Sequence, residues 1–268
     1  MTGAGLLVQA SVLGAVQPGS IAVDGGQLGM VFLVLMRCTG LIVSAPILGH
    51  RATPAMVKAG LAAVLAFALA GHASVAPNAL PILLAAPIEL LIGLALGTIA
   101  SLGFHAIELA GRILSLQMGL SLGAVLNPTS HENGTALDPF FSLLAGILFL
   151  ALNLHIALVG VLAHSLTVLP IGGGWPASLF QLVANLTALA LELGTRLIMP
   201  MALVLLLAEL AIALLARAIP QINVFFLGLP LKILAGVALL VAALPNLLAG
   251  AGAIFRSLLA SASAGAVR

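Results

Sequence analysis

The sequence predicts an all-α membrane protein, and three observations carry that expectation. Hydrophobic residues make up 62% and charged ones 6% of the 268 residues, whereas a soluble domain carries about 25% charged residues. Mean hydropathy is +1.30, so the chain lacks the polar side chains to cover a water-facing surface. The apolar residues fall into runs near the roughly 20 residues of a bilayer-spanning helix, and none alternates apolar and polar residues as a half-buried strand does. The same balance excludes a freely soluble enzyme and a disordered chain, which needs low hydrophobicity and high charge. The sequence pI of about 9.3 rests on nine Lys+Arg against seven Asp+Glu. Without a basic cluster that is no phosphate-binding face, and nucleic acid is not an expected partner.

Residues 1–29 have no basic residue ahead of the short apolar stretch at 6–16, so no secretory signal is expected. The first span covers 30–48, interrupted by Arg37. A basic loop at 49–58 follows, with His50, Arg51 and Lys58, and the positive-inside rule puts it on the cytoplasmic side. Further spans cover 59–76, ending at Pro77, and 82–104, with Pro87 and Glu89 in its first turns. A more polar stretch at 105–126 holds Glu108, Arg112, Ser115, Gln117 and Ser121. The clearest loop is 127–138, flanked by Pro128 and Pro139. Apolar runs at 140–169 and 179–216 are separated by Pro170 and the Gly172-Gly173-Gly174 turn, and the last pair, 224–244 and 247–260, by Pro245-Asn246. Six to eight helices in one domain are expected at these lengths. One Trp and no Tyr leave no aromatic belt at the membrane interfaces, so much of the surface is expected to face other protein.

Charges inside the apolar runs are the most informative residues, since each costs about 2.5–3.5 kcal/mol in hydrocarbon. Glu108 and Arg112 are spaced i,i+4, as are Glu192 and Arg196, so each pair can close on one helix face. Arg37, Glu89, Glu209 and Lys232 have no such local partner, and Arg37, Glu209 and Lys232 are expected as unpaired buried charges. Pairing between helices or subunits is the plainer reading of these groups; an aqueous pore or ion relay is the functional one. Small residues recur every four positions at Gly111, Ser115, Gly119 and Gly123, and again at Gly93 and Gly97. Such spacing lets backbones approach in apolar surroundings, and the glycines also make a helix easier to bend.

Catalytic motifs fare poorly. Gly119-Leu-Ser-Leu-Gly123 matches G-x-S-x-G, with Asp138 and then His155 or His164 following in hydrolase order. That elbow needs a strand-to-helix turn on a sheet, so a serine protease would have to place Ser121 and a histidine on facing helices. The six histidines lack metal spacing, and no phosphate-binding or dinucleotide fingerprint is present, so neither metal nor cofactor is expected. Cys38 is the one cysteine; it excludes an internal disulfide and reads as a small buried hydrophobe.

Four stretches together are recognisable. They are Arg37 to Gly49 with Pro54, Val57, Lys58 and Gly60; Gly111 to Ser121 with Asn127-Pro128-x-Ser130-His131; Asn153-Leu-His155 leading to Leu169-Pro-Ile-Gly-Gly173; and Arg217-x-x-Pro220-Gln-x-Asn223-x-Phe225-x-x-Gly228-x-Pro230. In order and combination they resemble the FliR/SctT family of type III export-gate subunits, with Gln117-Met118-Gly119 closer to the flagellar branch. The resemblance implies a FliP-like part over 1–178 and a FliQ-like helix hairpin over 179–268. It implies a non-enzymatic subunit that joins FliP and FliQ, with FlhB and FlhA beside them, in the bacterial inner membrane at the flagellar basal body. Unfolded flagellar export substrates would thread through the gate, with membrane lipid around it. The resemblance also implies a channel plug from Met118 to about residue 134, involving Met118, Gly119, Leu120, Leu122, Val125, Leu126, Asn127 and Pro128. The chain departs from the family pattern at Arg112 (commonly Glu), Ser115 (Gly), Asn127 (Asp), and Leu122 and Val125 (aromatics). The alternative reading is a small-solute secondary transporter, which predicts repeats around a midplane site.

Overall fold

The computed structural model of the chain describes residues 25–50, 52–120, 137–218 and 224–265. It contains α1 (Gly25–Ser44), α2 (Ala55–Leu69), a 3-10 turn (Ala70–His72), α3 (Ile82–Met118), α4 (Asp138–Ala151), α5 (Leu154–Val168), α6 (Ala177–Ala218) and α7 (Val224–Gly265). Among the described residues the only strand-like pairing is an isolated bridge between Val75 and Ile171. Five helices are long and apolar enough to cross a membrane, or six if α4 and α5, bent by 67°, count as one span. The all-α expectation therefore holds.

The breaks fall elsewhere than expected. Residues 82–104 and 105–118 form one helix of 37 residues, about 56 Å at 1.5 Å per residue. Pro87, in the second turn, does not interrupt it, although it lacks the N–H that would bond the Leu83 carbonyl. Residues 224–265 likewise form one 42-residue helix through Pro230 and Pro245, not two helices split at Pro245. In long apolar helices, neighbouring helices and small local adjustments re-satisfy the carbonyls that proline frees. Conversely, the run 140–169 does break, at Asn153, whose φ of 54° is left-handed. Asparagine is among the few residues that adopt that conformation readily.

Two cores organise the bundle. The first gathers α1, α2, the start of α3 and α5 around Val34, Ile42, Ile92 and Leu162. The second gathers the rest of α3 with α4, α6 and α7 around Ile107, Leu114, Phe141 and Ile198. The long α3 is the spine common to both. It runs parallel to α1, as the matched pairs Gly29–Ile82, Arg37–Gly93 and Ser44–Gly97 show. Backbone meets backbone here: a Cβ at Gly40 would overlap the Leu90 carbonyl, and one at Gly93 the Arg37 carbonyl. The Ser44 hydroxyl donates across the crossing to the Leu94 carbonyl at 3.0 Å. α6 and α7 form an antiparallel hairpin, since Glu209 meets Lys232 while Leu197, further back, meets Gly250, further on.

Candidate functional site

The most completely built polar site joins α1, α3, α5 and the loop at 169–174. Arg37 and Glu89 are each almost fully buried. Arg37 Nε donates to Glu89 Oε2 at 2.7 Å, and its Nη2 lies 2.6 Å from the same oxygen. Nη1 donates to the Ser165 carbonyl at 2.9 Å and Nη2 to the Leu169 carbonyl at 3.1 Å. The second carboxylate oxygen, Oε1, accepts the Gly172 N–H at 3.0 Å. With Nη1 also donating to Ser165 Oγ at 3.4 Å, every guanidinium nitrogen and both carboxylate oxygens have partners, the condition under which a buried ion pair is tolerable. Gly172 has a φ of 78° and Gly174 of 87°, a left-handed turn that only glycine makes without strain. That turn is held from outside as well: Ile171 N–H donates to the Ser74 carbonyl at 2.7 Å and Leu80 N–H to the Gly172 carbonyl at 3.0 Å. Arg37 and the 169–173 stretch are separate blocks of sequence brought together here.

Expectations about the charges are revised accordingly. Arg37 is buried but paired with Glu89, its counterpart on the parallel helix. Glu209 and Lys232 pair across the α6–α7 hairpin at 3.1 Å, and Glu209 is more than half exposed. None of these three is an unpaired buried charge, because helices adjacent in space bring together what sequence spacing kept apart. Glu192 and Arg196 do pair within α6 at 2.5 Å, both largely exposed. Glu108 turns to His105, with Nδ1 at 3.6 Å, and takes the Ser142 hydroxyl, instead of closing on Arg112. Glu89, Ser165 and Gly172 complete the buried site. Of these, Glu89 carried a signal in the sequence as a lone acid in an apolar run and Gly172 as part of a glycine turn, whereas Ser165 carried none.

The segment expected to plug a channel begins at the end of α3. Gly119, with a φ of 77°, terminates the helix. Its N–H donates to the Leu116 carbonyl at 3.1 Å, and the Leu120 N–H donates to the Ser115 carbonyl at 3.0 Å. Together these bonds form a Schellman cap. Met118, expected among the sealing residues, is fully buried within this chain, with its thioether packed against Gly236 of α7. A long flexible thioether fills such a gap well, and a glycine opposite leaves room for it. Gly119 and Leu120 are half-buried. Leu122, Val125, Leu126, Asn127 and Pro128, with Ser121 and Gly123, lie outside the described residues. The small-residue stripe is therefore no single interface: Gly111 receives the Phe141 ring, Ser115 is buried, and Gly119 ends the helix.

Apolar surface dominates the outside. Leu203, Leu206, Leu207, Leu210 and Leu214 of α6 are each at least 50% exposed. Soluble monomers rarely show a patch of that kind.

Residues 28–258 match the family described as "Bacterial export proteins, family 1". The chain belongs to that family, and its helices make it a membrane-embedded member. Its relatives are flagellar. It is 37% identical over 224 residues to the flagellar biosynthetic protein FliR of Escherichia coli (strain K12), covering 81% of this chain and 85% of that protein. Against the FliR of Pectobacterium carotovorum subsp. carotovorum the identity is 32% over 220 residues, covering 80% and 84%. Against that of Bacillus subtilis (strain 168) it is 31% over 212 residues, covering 75% and 80%. The chain is accordingly a flagellar export component, and nothing supports the small-solute transporter.

Proposed function

We propose that this chain is a non-enzymatic subunit of the flagellar export gate in the bacterial inner membrane. It assembles with FliP and FliQ, and FlhB and FlhA work beside it. Residues 1–178 act as a FliP-like part and 179–268 as a FliQ-like hairpin. The segment after Leu120 closes the protein-conducting channel until an unfolded flagellar subunit displaces it. A hydrophobic constriction blocks water and ions by dewetting, so closure needs no chemistry. Met118 anchors the root of this plug in the core, and Leu122, Val125 and Leu126 form the seal.

The observation that carries the reading is the α6–α7 hairpin. Its buried α6 residues end at Leu205, and the 13 remaining residues of the helix expose leucines on several sides. Such a surface needs other apolar chains or lipid against it. Purification of the tagged chain, co-expressed with its neighbouring genes, followed by native mass spectrometry tests the assembly. One copy of this chain among several copies of two smaller apolar proteins is the expected result. A lone monomer or homodimer overturns the reading. The plug has its own test. Deleting residues 121–128, which spares the anchor and the cap, should leave the complex intact and make cells leak ions. Background conductance with an intact complex would remove the plug assignment.

A further inference from the structure

The exposed face of α3 changes character along its length. Near its start the outward side chains are apolar, with Leu83 86% and Leu91 49% exposed. About 21 Å further along, 14 residues at 1.5 Å each, the same helix exposes His105 and Arg112, with Glu108 half-buried between them. These three stand at i, i+3 and i+7, so they share one stripe. Ile107, Ala110 and Leu114, on the far side, are buried in the second core. Among the described residues, no carboxylate lies within ion-pair distance of Arg112, because Glu108 is turned to His105.

Three ionisable groups within eight residues are a heavy concentration in a chain whose charged content is 6%. Exposed ionisable groups avoid lipid and face water, a water-filled cavity or the bundle interior. The apolar alternative is visible on the same molecule, where α6 presents only Leu203, Val204, Leu206 and Leu207 between residues 203 and 207. Beyond Arg112 the same face carries Leu116, 61% exposed, and the helix ends at Met118, about 9 Å, six residues, after Arg112.

We infer that the stripe His105, Glu108 and Arg112 lines the aqueous passage of the gate, immediately ahead of the plug. The inference rests on the gate reading above and adds the face that the chain turns to the passage.

Cysteine scanning tests it on a quiet background, because Cys38 is the sole cysteine and is fully buried. In the assembled complex in lipid nanodiscs, His105→Cys and Arg112→Cys are compared with Leu83→Cys and Leu203→Cys. The probe is a permanently charged, lipid-insoluble methanethiosulfonate, and labelling is read as a mass shift. His105→Cys and Arg112→Cys should react at least tenfold faster than the two leucine positions. In cells carrying the 121–128 deletion, the same reagent at Arg112→Cys should cut the leak by at least half. Labelling as slow as at the leucines overturns the inference, since the stripe is then covered by lipid or protein. Fast labelling with an unchanged leak also overturns it, placing the stripe in water but outside the passage. If the deletion produces no leak, the plug reading fails separately, and the labelling rates still decide the stripe.

Discussion

The two cores of this protein handle charge in opposite ways. In the first, Arg37 and Glu89 meet between parallel helices with every nitrogen of the guanidinium partnered and neither side chain reaching the surface. In the second, Glu192–Arg196 and Glu209–Lys232 lie on the outside of the α6–α7 hairpin, three of their four side chains at least half exposed. The inner pair serves this chain's own fold, clamping α1, α3, α5 and the Gly172 turn. The outer pairs leave charge available to whatever surrounds the hairpin. A charge in an apolar segment is thus no single kind of signal: its meaning depends on whether the helix beside it supplies the partner.

The sharpest way to break this contrast is to remove half of the inner pair. Arg37→Ala strands Glu89 in the core, and breaking a buried pair in that way costs about 3–5 kcal/mol, against a total stability of about 5–15 kcal/mol. Cys38, next in sequence and fully buried, reports the damage, because a maleimide reaches it only when α1 lifts from α3. The expected result for the detergent-purified protein is a labelling rate raised at least a hundredfold, roughly 3 kcal/mol at 1.4 kcal/mol per decade. The double variant Arg37→Met with Glu89→Leu should recover part of the protection. It removes both charges but leaves the Gly172 N–H and the Leu169 carbonyl without partners. Unchanged Cys38 labelling in Arg37→Ala would mean that the pair does not hold the first core.

A smaller effect is expected where the same crossing depends on the absence of a side chain. At Gly93 a Cβ would overlap the Arg37 carbonyl, whereas at Gly60, on the exposed side of α2, it meets nothing within 4 Å. Overpacking typically costs about 1–3 kcal/mol, so Gly93→Val should speed Cys38 labelling by roughly tenfold or more. Gly60→Ala should slow it or leave it unchanged, because alanine is the better helix former by about 1 kcal/mol. Equal effects at the two positions would show that α1 and α3 are not in backbone contact.

Much of this was readable in advance. The helical class followed from composition and run length. Gly93 and Gly97 announced a close crossing, although the partner helix did not show in their spacing. The breaks were read less well. Proline is a strong stop signal in water, yet Pro245, read as a break, sits inside a continuous helix because apolar neighbours support it. Asn153 makes a break that no proline marks. Arg37 and Glu89 were visible as lone charges, but their meeting depends on α1 and α3 running parallel, a fact of topology that no local pattern contains. Met118 was read as a channel residue through resemblance alone. Its burial follows from the register of α3 against α7, where Gly236 makes room for it.

The smallest expected effect sharpens the other side of the comparison. Glu192 and Arg196 are 50% and 72% exposed and one turn apart, a geometry worth about 0.3–0.5 kcal/mol in an isolated helix. Neutralising both, as Glu192→Gln with Arg196→Gln, should therefore leave Cys38 protection in the isolated chain within threefold of the original. The charges should instead matter between chains. If the outer pairs meet neighbouring subunits, reversing them as Glu192→Arg with Arg196→Glu lowers the yield of the assembled complex while the isolated chain stays folded. A large loss of Cys38 protection in the neutralised variant would erase the distinction, because the hairpin's charges would then hold this chain together as the buried pair does. Preserved protection with an unchanged yield would assign the pair to water or lipid headgroups, and the surface that meets other subunits would have to lie among the exposed leucines alone.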